Sequence, residues 1–469
     1  MGEVFANPLV ELAEFSDMKR ALDQGKGPVQ ICGVTDSQKV HTAYELSRDK
    51  AWRLVVTYDD TRAREIYDDL CYFEKNTWLY PARDLLFYNS DIHGNLLTRQ
   101  RMQVFRHLLE DEGGVVVTTV DGLMDHLLPL DELKSRCLFI EAGNILDMDR
   151  IKEELRDMGY ERTGQVDGMG QFSVRGGILD VFPLTEELPV RIELWGDEVD
   201  SIRSFDPESQ RSVAQMEAVL LYPAAELAVS KERITDGIVK IEKDAKKQEK
   251  LFREQQKAEE AHRIHQIVKE LCEGLQEGVE VSGLDGYIRY FCDKTVSFLD
   301  YMKEKGAAVI LDEPQRLKEK SETVEAEFRE SMEHRLEKGY LLPGQADLLF
   351  SARAVLAAVQ LPEAVFMTGL DQRLPGLTVK NKYSITGKNV NSYQNSFEIL
   401  IKDLSRWKKE GYRVVLLSAS RTRASRLAGD LREYDLRAFC PDDAGRTVAP
   451  GEILVTYGKL HKGFEYPLI

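Results

Sequence analysis

The feature that most constrains this chain is an alternation of short β-branched runs with helical stretches between residues 29 and 119. Val29-Gln-Ile-Cys-Gly33 reads as a strand entering a turn, Arg53-Leu-Val-Val-Thr57 as a second strand and Gly114-Val-Val-Val-Thr-Thr119 as a third. Apolar residues at helical spacing over Arg62–Leu70 and Leu97–Leu109 predict intervening helices. Strand–helix alternation of this kind predicts a parallel sheet covered by helices.

The pattern then changes. Asp147 can cap a helix over Met148–Met158. Glycines at 159, 164, 168, 170, 176 and 177 and prolines at 183, 189 and 207 break up the strand-like pieces Gln171–Val174, Gly177–Phe182, Val190–Trp195 and Val199–Phe205. This predicts a small α+β insert with an antiparallel sheet over residues 136–226. From Ser230 to Gly274 the chain reads as one long charged helical stretch with a solvated face. A strand over Ala307–Leu311 and a charged helix over Gln315–Lys338 follow. A last unit has a helix over Ser396–Lys408, a strand over Arg413–Leu417, a helix over Thr422–Leu431 and a strand over Ile453–Thr456, predicting a compact α/β domain. At 469 residues about three domains are expected. They are read as a parallel-sheet domain in two parts, 1–135 and 227–390, the insert at 136–226 between them, and the small α/β domain at 391–469. The apolar stretch Glu465–Ile469 suggests a fragment of a longer protein.

Composition narrows the function. The net charge of −17 argues against a surface that binds nucleic acid throughout, though not against a local basic site. No apolar run approaches a membrane span of ~20 residues. Met1–Phe15 carries three Glu and no basic residue, unlike a secretory leader. The six cysteines (32, 71, 137, 272, 292 and 440) form no CxxC pair, so a reducing, cytoplasmic setting is expected. No histidine is spaced with Cys or carboxylates as metal ligands are, and His262 and His265 read as part of a solvated helix face.

Gly33-Val-Thr-Asp-Ser-Gln-Lys39-Val40 follows a strand and precedes a helix, where a phosphate-binding loop would lie. Gly33 and Lys39 fit that pattern. Gln38 stands where the second Gly would let backbone amides approach phosphate, and Val40 stands where a hydroxyl would ligate magnesium. Val309-Ile-Leu-Asp312-Glu313 looks like the strand-plus-acid element of such enzymes. The pair suggests a P-loop-derived scaffold that no longer hydrolyses nucleotide.

These segments, with Tyr80-Pro-Ala-Arg-Asp84, Gly170–Pro183, Arg191–Asp206 and Leu311-Asp-Glu-Pro314, resemble the N-terminal half of the bacterial transcription-repair coupling factors. The resemblance implies a degenerate UvrB-like ATPase domain interrupted by a UvrA-binding domain and followed by a small domain. It implies a non-catalytic adaptor that brings UvrA and nucleotide excision repair to stalled RNA polymerase, and a part in autoinhibition of the intact protein. RNA polymerase, DNA, ATP and magnesium would be engaged by domains beyond this chain, which itself is expected to need no cofactor. Unlike UvrB, the chain lacks a working phosphate loop. After Tyr80 only Phe87 and Tyr88 precede a polar stretch at 89–94, so an aromatic DNA-clamping hairpin is not expected. The alternative is a nucleotide-dependent helicase or ATPase of the UvrB type.

The predicted insert has 9 basic and 19 acidic residues over 136–226, so its arginines stand out. Arg175 precedes Gly176-Gly177 at a strand end. Arg191, Glu193 and Trp195 alternate and so share one strand face. The resemblance implies UvrA contact by Arg175, Arg191 and Trp195, the last usually Phe in the family. The local alternative is that Arg191 pairs with Glu193 or Asp197 and Trp195 is half-buried core. Arg421, Arg423 and Arg426 follow the strand Arg413–Leu417, at a phosphate-binding position of many α/β folds, but without a glycine-rich loop they read as a basic helix start.

Overall fold

A computed structural model describes residues 8–83, 91–277, 281, 283–390, 393, 396–440 and 447–469, without the side chains of 91–95. The readings placed on Asp84, Phe87, Tyr88 and the polar stretch at 89–94 fall on residues whose side chains lie outside this description. After helix α1 (Ala13–Asp23) come β1 (Val29–Cys32), α2 (Asp36–Ser47), β2 (Trp52–Thr57), α3 (Asp60–Phe73), β3 (Thr77–Tyr80), α4 (Asp91–Glu110) and β4 (Gly114–Thr119). Helix α5 (Leu130–Ser135) leads to the insert: β5 (Leu138–Glu141), α6 (Met148–Asp157), β6 (Glu161–Arg162), β7 (Gln171–Arg175), β8 (Ile178–Phe182), β9 (Val190–Trp195), β10 (Glu198–Phe205), β11 (Ser212–Met216) and β12 (Ala218–Leu221). The chain then forms α7 (Lys231–Glu254), α8 (Ala258–Glu277), α9 (Ile288–Phe291), α10 (Phe298–Glu304), β13 (Ala308–Asp312), α11 (Pro314–Glu337), α12 (Ala352–Ala358), β14 (Val365–Thr368) and β15 (Asn381–Ser384). Last come β16 (Lys388–Val390), α13 (Phe397–Glu410), β17 (Val414–Ser418), α14 (Arg421–Glu433), β18 (Arg437–Phe439), β19 (Glu452–Tyr457) and β20 (Gly463–Glu465).

The architecture is α/β. Seven parallel strands lie in the order β15-β1-β14-β13-β2-β4-β3. Strands from before and after the insert therefore interleave in one sheet. Every residue of β1, β2, β4, β13 and β14 is buried, because helices cover both faces and no strand can spend half its residues on solvent. Asp59 starts α3 by accepting the Arg62 N–H at 2.7 Å, satisfying one of the helix's open amides.

The insert forms a six-stranded sheet, β11-β10-β9-β8-β7-β6, antiparallel except for the short β6–β7 pair. A two-stranded sheet, β5 with β12, stands at its root. Alternation does the sorting: Val190 and Ile192 are buried while Arg191 and Glu193 face outward. Ile192 packs in one core with Ile151 and Leu155 of α6, and Leu194 lies at its margin.

The structure corrects the reading of one charged helix over Ser230–Gly274. The chain turns at Gln256, whose φ is +62°, and two helices, α7 and α8, pack side by side. Ile238, Ile241, Phe252, Ile264, Val268 and Leu271 build a core of their own with Tyr290, Phe291, Phe328 and Met332. The apolar positions of each helix are sparse among Lys and Glu, and the stripe shows only when both helices contribute to it.

Among the described residues no helix is long and apolar enough to cross a membrane.

Candidate functional site

The first site is the loop between β1 and α2. Gly33 has a φ of +84°, and a Cβ on it would lie 2.4 Å from the Ile385 carbonyl. Glycine is thus required here by the approach of this chain's own backbone. Gln38 sits in the first turn of α2, wholly buried, and its Oε1 accepts the Thr35 N–H at 3.4 Å. Its amide fills the space over Gly387, where a Cβ would lie 1.9 Å from Oε1. Asn389 closes the rim, accepting from the Thr35 hydroxyl at 2.7 Å and donating to Asp36 at 2.9 Å. The Lys462 N–H donates to Ser37 Oγ at 2.9 Å. A helix N-terminus attracts anions because its first amides lack partners. Here protein groups surround that terminus.

Beneath it lies a buried ion network. Lys39 Nζ bonds Asp312 Oδ1 at 2.8 Å and also Glu313 Oε1. Asp312 Oδ2 accepts from Thr57 at 3.0 Å and from Arg62 Nε at 3.2 Å. Glu313 Oε1 also accepts the Gly369 N–H at 2.8 Å. Burial pushes the Asp312 carboxyl up, but Lys39 and Arg62 outweigh it and hold the group below its ordinary range. The lysine and the two acids of the degenerate motifs thus neutralise one another, with Val40 in the core at 3% exposure. Sequence reasoning missed Thr57 and Arg62, which sit at the end of β2 and start of α3. Arg62 counted there only as part of an amphipathic helix.

The second site is the outer face of the insert's sheet. Asp180, 1% exposed, accepts from Arg175 at 2.7 Å and from Arg191 Nε and NH2 at 2.7 and 2.9 Å. Arg191 NH2 also donates to Gln210 at 2.9 Å, and its guanidinium lies over the Phe205 ring, 4.3 Å from the centroid. Only 13% of the Arg191 side chain meets solvent, against 44% of Arg175. Trp195 is 84% exposed. The local alternative named the wrong partners for Arg191, which bonds Asp180 and Gln210 and not Glu193 or Asp197. Glu193 pairs with Arg203, and Asp180, directly across in β8, takes Arg191. Nor is Trp195 half-buried core. Arg175, Arg191 and Trp195 share the face, but Arg191 supports it from beneath while Arg175 and Trp195 present themselves.

The turn that shapes this face needs its glycines. Gly176 has a φ of +62°, and a Cβ on Gly177 would lie 2.9 Å from the Leu194 carbonyl. Only a bare backbone lets the β7–β8 turn lie against the end of β9.

The view that no histidine meets carboxylates is also corrected. His107, Glu110 and Glu112 place ligand-type atoms within 4.8 Å of one another at the end of α4. They are already engaged: His107 bonds Glu112 at 2.7 Å, and Glu110 accepts from Tyr222 at 2.7 Å and Arg106 at 3.1 Å. His265 on α8 bonds Glu249 on α7 at 2.9 Å. Arg421, Arg423 and Arg426 are exposed, with Arg421 over Tyr457.

The fold is a parallel-sheet α/β scaffold carrying an inserted, mostly antiparallel sheet. Comparison with known proteins adds to this. Residues 138–227 match the family model described as the UvrB interaction domain. The chain is 30% identical over 463 residues to the transcription-repair-coupling factor of Bacillus subtilis (strain 168), covering 98% of this chain and 39% of that protein. It is 26% identical over 475 residues to that of Staphylococcus epidermidis (strain ATCC 12228 / FDA PCI 1200), covering all of this chain and 39% of the relative. The Staphylococcus aureus (strain MRSA252) protein is 24% identical over 468 residues, 97% of this chain and 38% of its own length. The chain is thus similar to the transcription-repair-coupling factors along nearly its whole length, and spans about two fifths of the curated relatives it matches.

Proposed function

We propose that this chain is a non-catalytic docking region that binds UvrA through the outer face of its insert, and so serves transcription-coupled nucleotide excision repair. The observation that carries the reading is the match of residues 138–227 to the UvrB interaction domain, combined with a fork at Arg175 and a bare indole at Trp195 on one sheet face. Arginine and tryptophan are enriched among the interface residues that carry most binding energy. In a longer protein of this kind, recruitment to a stalled RNA polymerase would fall to other domains. Covering this face by another part of the protein would provide the autoinhibition that the family resemblance implies.

The variants separate the roles. Arg175→Ala is expected to weaken UvrA binding by ~1.5–3 kcal/mol, the worth of a hydrogen bond to a charged group. Trp195→Ala is expected to weaken it by about 2 kcal/mol or more without changing stability, whereas Arg175→Ala, which leaves Asp180 its two bonds from Arg191, should lower stability by less than Arg191→Ala does. Arg191→Ala leaves the buried Asp180 with Arg175 alone and removes the stack on Phe205. It is therefore expected to lower the insert's stability by ~1–3 kcal/mol as well. Titration calorimetry with purified UvrA beside thermal melts reads both. Wild-type affinity in Arg175→Ala and Trp195→Ala would overturn the reading.

The filled loop supports the non-catalytic part. A nucleotide at 100 times its dissociation constant would add ~2.7 kcal/mol to stability. With Gln38 and residues 385–387 over the terminus of α2, magnesium-ATP is expected to leave the melting temperature unchanged. A clear upward shift would favour the helicase or ATPase reading.

A further inference from the structure

The docking face extends beyond the hairpin. Strand β9 ends at Trp195, the chain turns through Gly196 (φ +63°) and Asp197, and Glu198 opens β10 opposite Trp195. Glu198 is bridged on its other side by Ile145, from the loop between β5 and α6. Residues paired across antiparallel strands point to the same side of a sheet. Ile145, Glu198 and Trp195 therefore form one row, and Ile145 is 73% exposed.

Ile145 is held there firmly. The Gly143 N–H donates to Val199 O at 2.8 Å, Val199 N–H to Asn144 O at 2.9 Å, and Leu146 N–H to Asp197 O at 2.8 Å. Leu146 turns inward, 9% exposed, into the insert's core. The alternation that buries Leu146 pushes Ile145 out. A single exposed aliphatic side chain is ordinary, but two large apolar ones fixed in one row on a zipped backbone, on either side of Glu198, make a preformed pair of apolar knobs. Its neighbours in the strands and turn include the acids Glu193, Asp197 and Glu198, and Glu193 is paired with Arg203.

We infer that Ile145 is a second apolar anchor of the UvrA-docking surface, flanking Trp195, and that the partner meets this row with an apolar depression rimmed by basic side chains. The inference rests on the proposed UvrA reading and on continuity with that face. A branched side chain already fixed by backbone bonds loses little freedom on burial, which favours an anchor role.

The test is calorimetry of the full chain with purified UvrA, comparing Ile145→Asp and Ile145→Ser with Arg175→Ala and Trp195→Ala. Both Ile145 variants are expected to melt with the wild type, because the side chain touches solvent. Ile145→Asp should weaken binding at least tenfold and Ile145→Ser severalfold. Binding within twofold of wild type by both, while Arg175→Ala or Trp195→Ala loses affinity, would overturn the anchor role and leave the docking reading standing. If the wild-type chain fails to bind UvrA, or if Arg175→Ala and Trp195→Ala both bind as wild type, both the docking reading and the anchor fall. A lowered melting temperature in Ile145→Asp alone leaves Ile145→Ser to decide.

Discussion

Arg101→Ala is expected to destabilise the chain by about 3–5 kcal/mol, the cost of stripping one partner from a buried ion group. Arg101 is 0% exposed and lies over the Tyr80 ring, 4.3 Å from its centroid. It holds Asp125 at 2.8 Å and Glu226 at 2.8 Å, and donates to the Pro81 carbonyl at 2.8 Å. Glu226 is also held by Arg83 at 2.6 Å. Without Arg101, Asp125 loses the partner that offsets its burial, a burial that already pushes its carboxyl up. Glu226 follows the last strand of the insert, so the same group fastens the insert's root to the parallel-sheet domain. Arg101→Lys should recover little, since a single ammonium nitrogen cannot occupy the separate Nε and Nη1 positions from which the guanidinium reaches Glu226 and Asp125, nor stack on Tyr80. Urea midpoints of the two variants check this. A loss below about 1 kcal/mol in Arg101→Ala would show that the cluster relaxes around water.

Asp312→Ala is expected to cost about 3 kcal/mol at neutral pH, because it takes a buried acid from Lys39 and leaves Arg62 with Glu65 as its acid partner, both cations being under a tenth exposed. Glu313 would remain as the sole acid for Lys39. The pH dependence has a definite sign. The Asp312 carboxyl is lowered in the folded state, so its contribution is full above the unfolded carboxylate range near pH ~4. It is lost as pH falls through the folded value. The stability gap between wild type and Asp312→Ala should therefore be constant from about pH 8 to pH 5 and close on further acidification. A gap that widens with acid would contradict the network described.

The degenerate loop shows how legible such a site can be. Gln38 and Val40 were enough to expect that the loop no longer grips triphosphate, because side-chain size and hydroxyl chemistry are local properties. Their replacement partners could not be read. Ile385, Gly387, Asn389 and Lys462 lie more than 340 residues from the loop, and nothing in their spacing marks them. Thr57 and Arg62 were hidden for a related reason, since an arginine on an amphipathic helix looks the same whether it meets water or a buried aspartate.

The insert shows the converse. Period-two alternation placed Arg191, Glu193 and Trp195 on one face, but not which of them is reachable. Asp180 took Arg191 because β8 pairs with β9 in that register, and register is a tertiary outcome. Ile145 escaped notice because its bridge to Glu198 joins a loop to a hairpin 53 residues away.

By itself, then, the amino-acid order settled the strand–helix succession, the antiparallel insert and the loss of the phosphate loop's key side chains. Each of these depends on neighbours within a few positions, where sterics and hydrophobic period act. Only the folded chain decided that α7 and α8 turn back on each other, that Lys39 is silenced by Asp312 and Glu313, and that Trp195 stands bare while Arg191 is held beneath. Those outcomes depend on which distant groups share a low-dielectric interior. Burial and ion pairing are properties of the packed whole, and no short window of residues contains them.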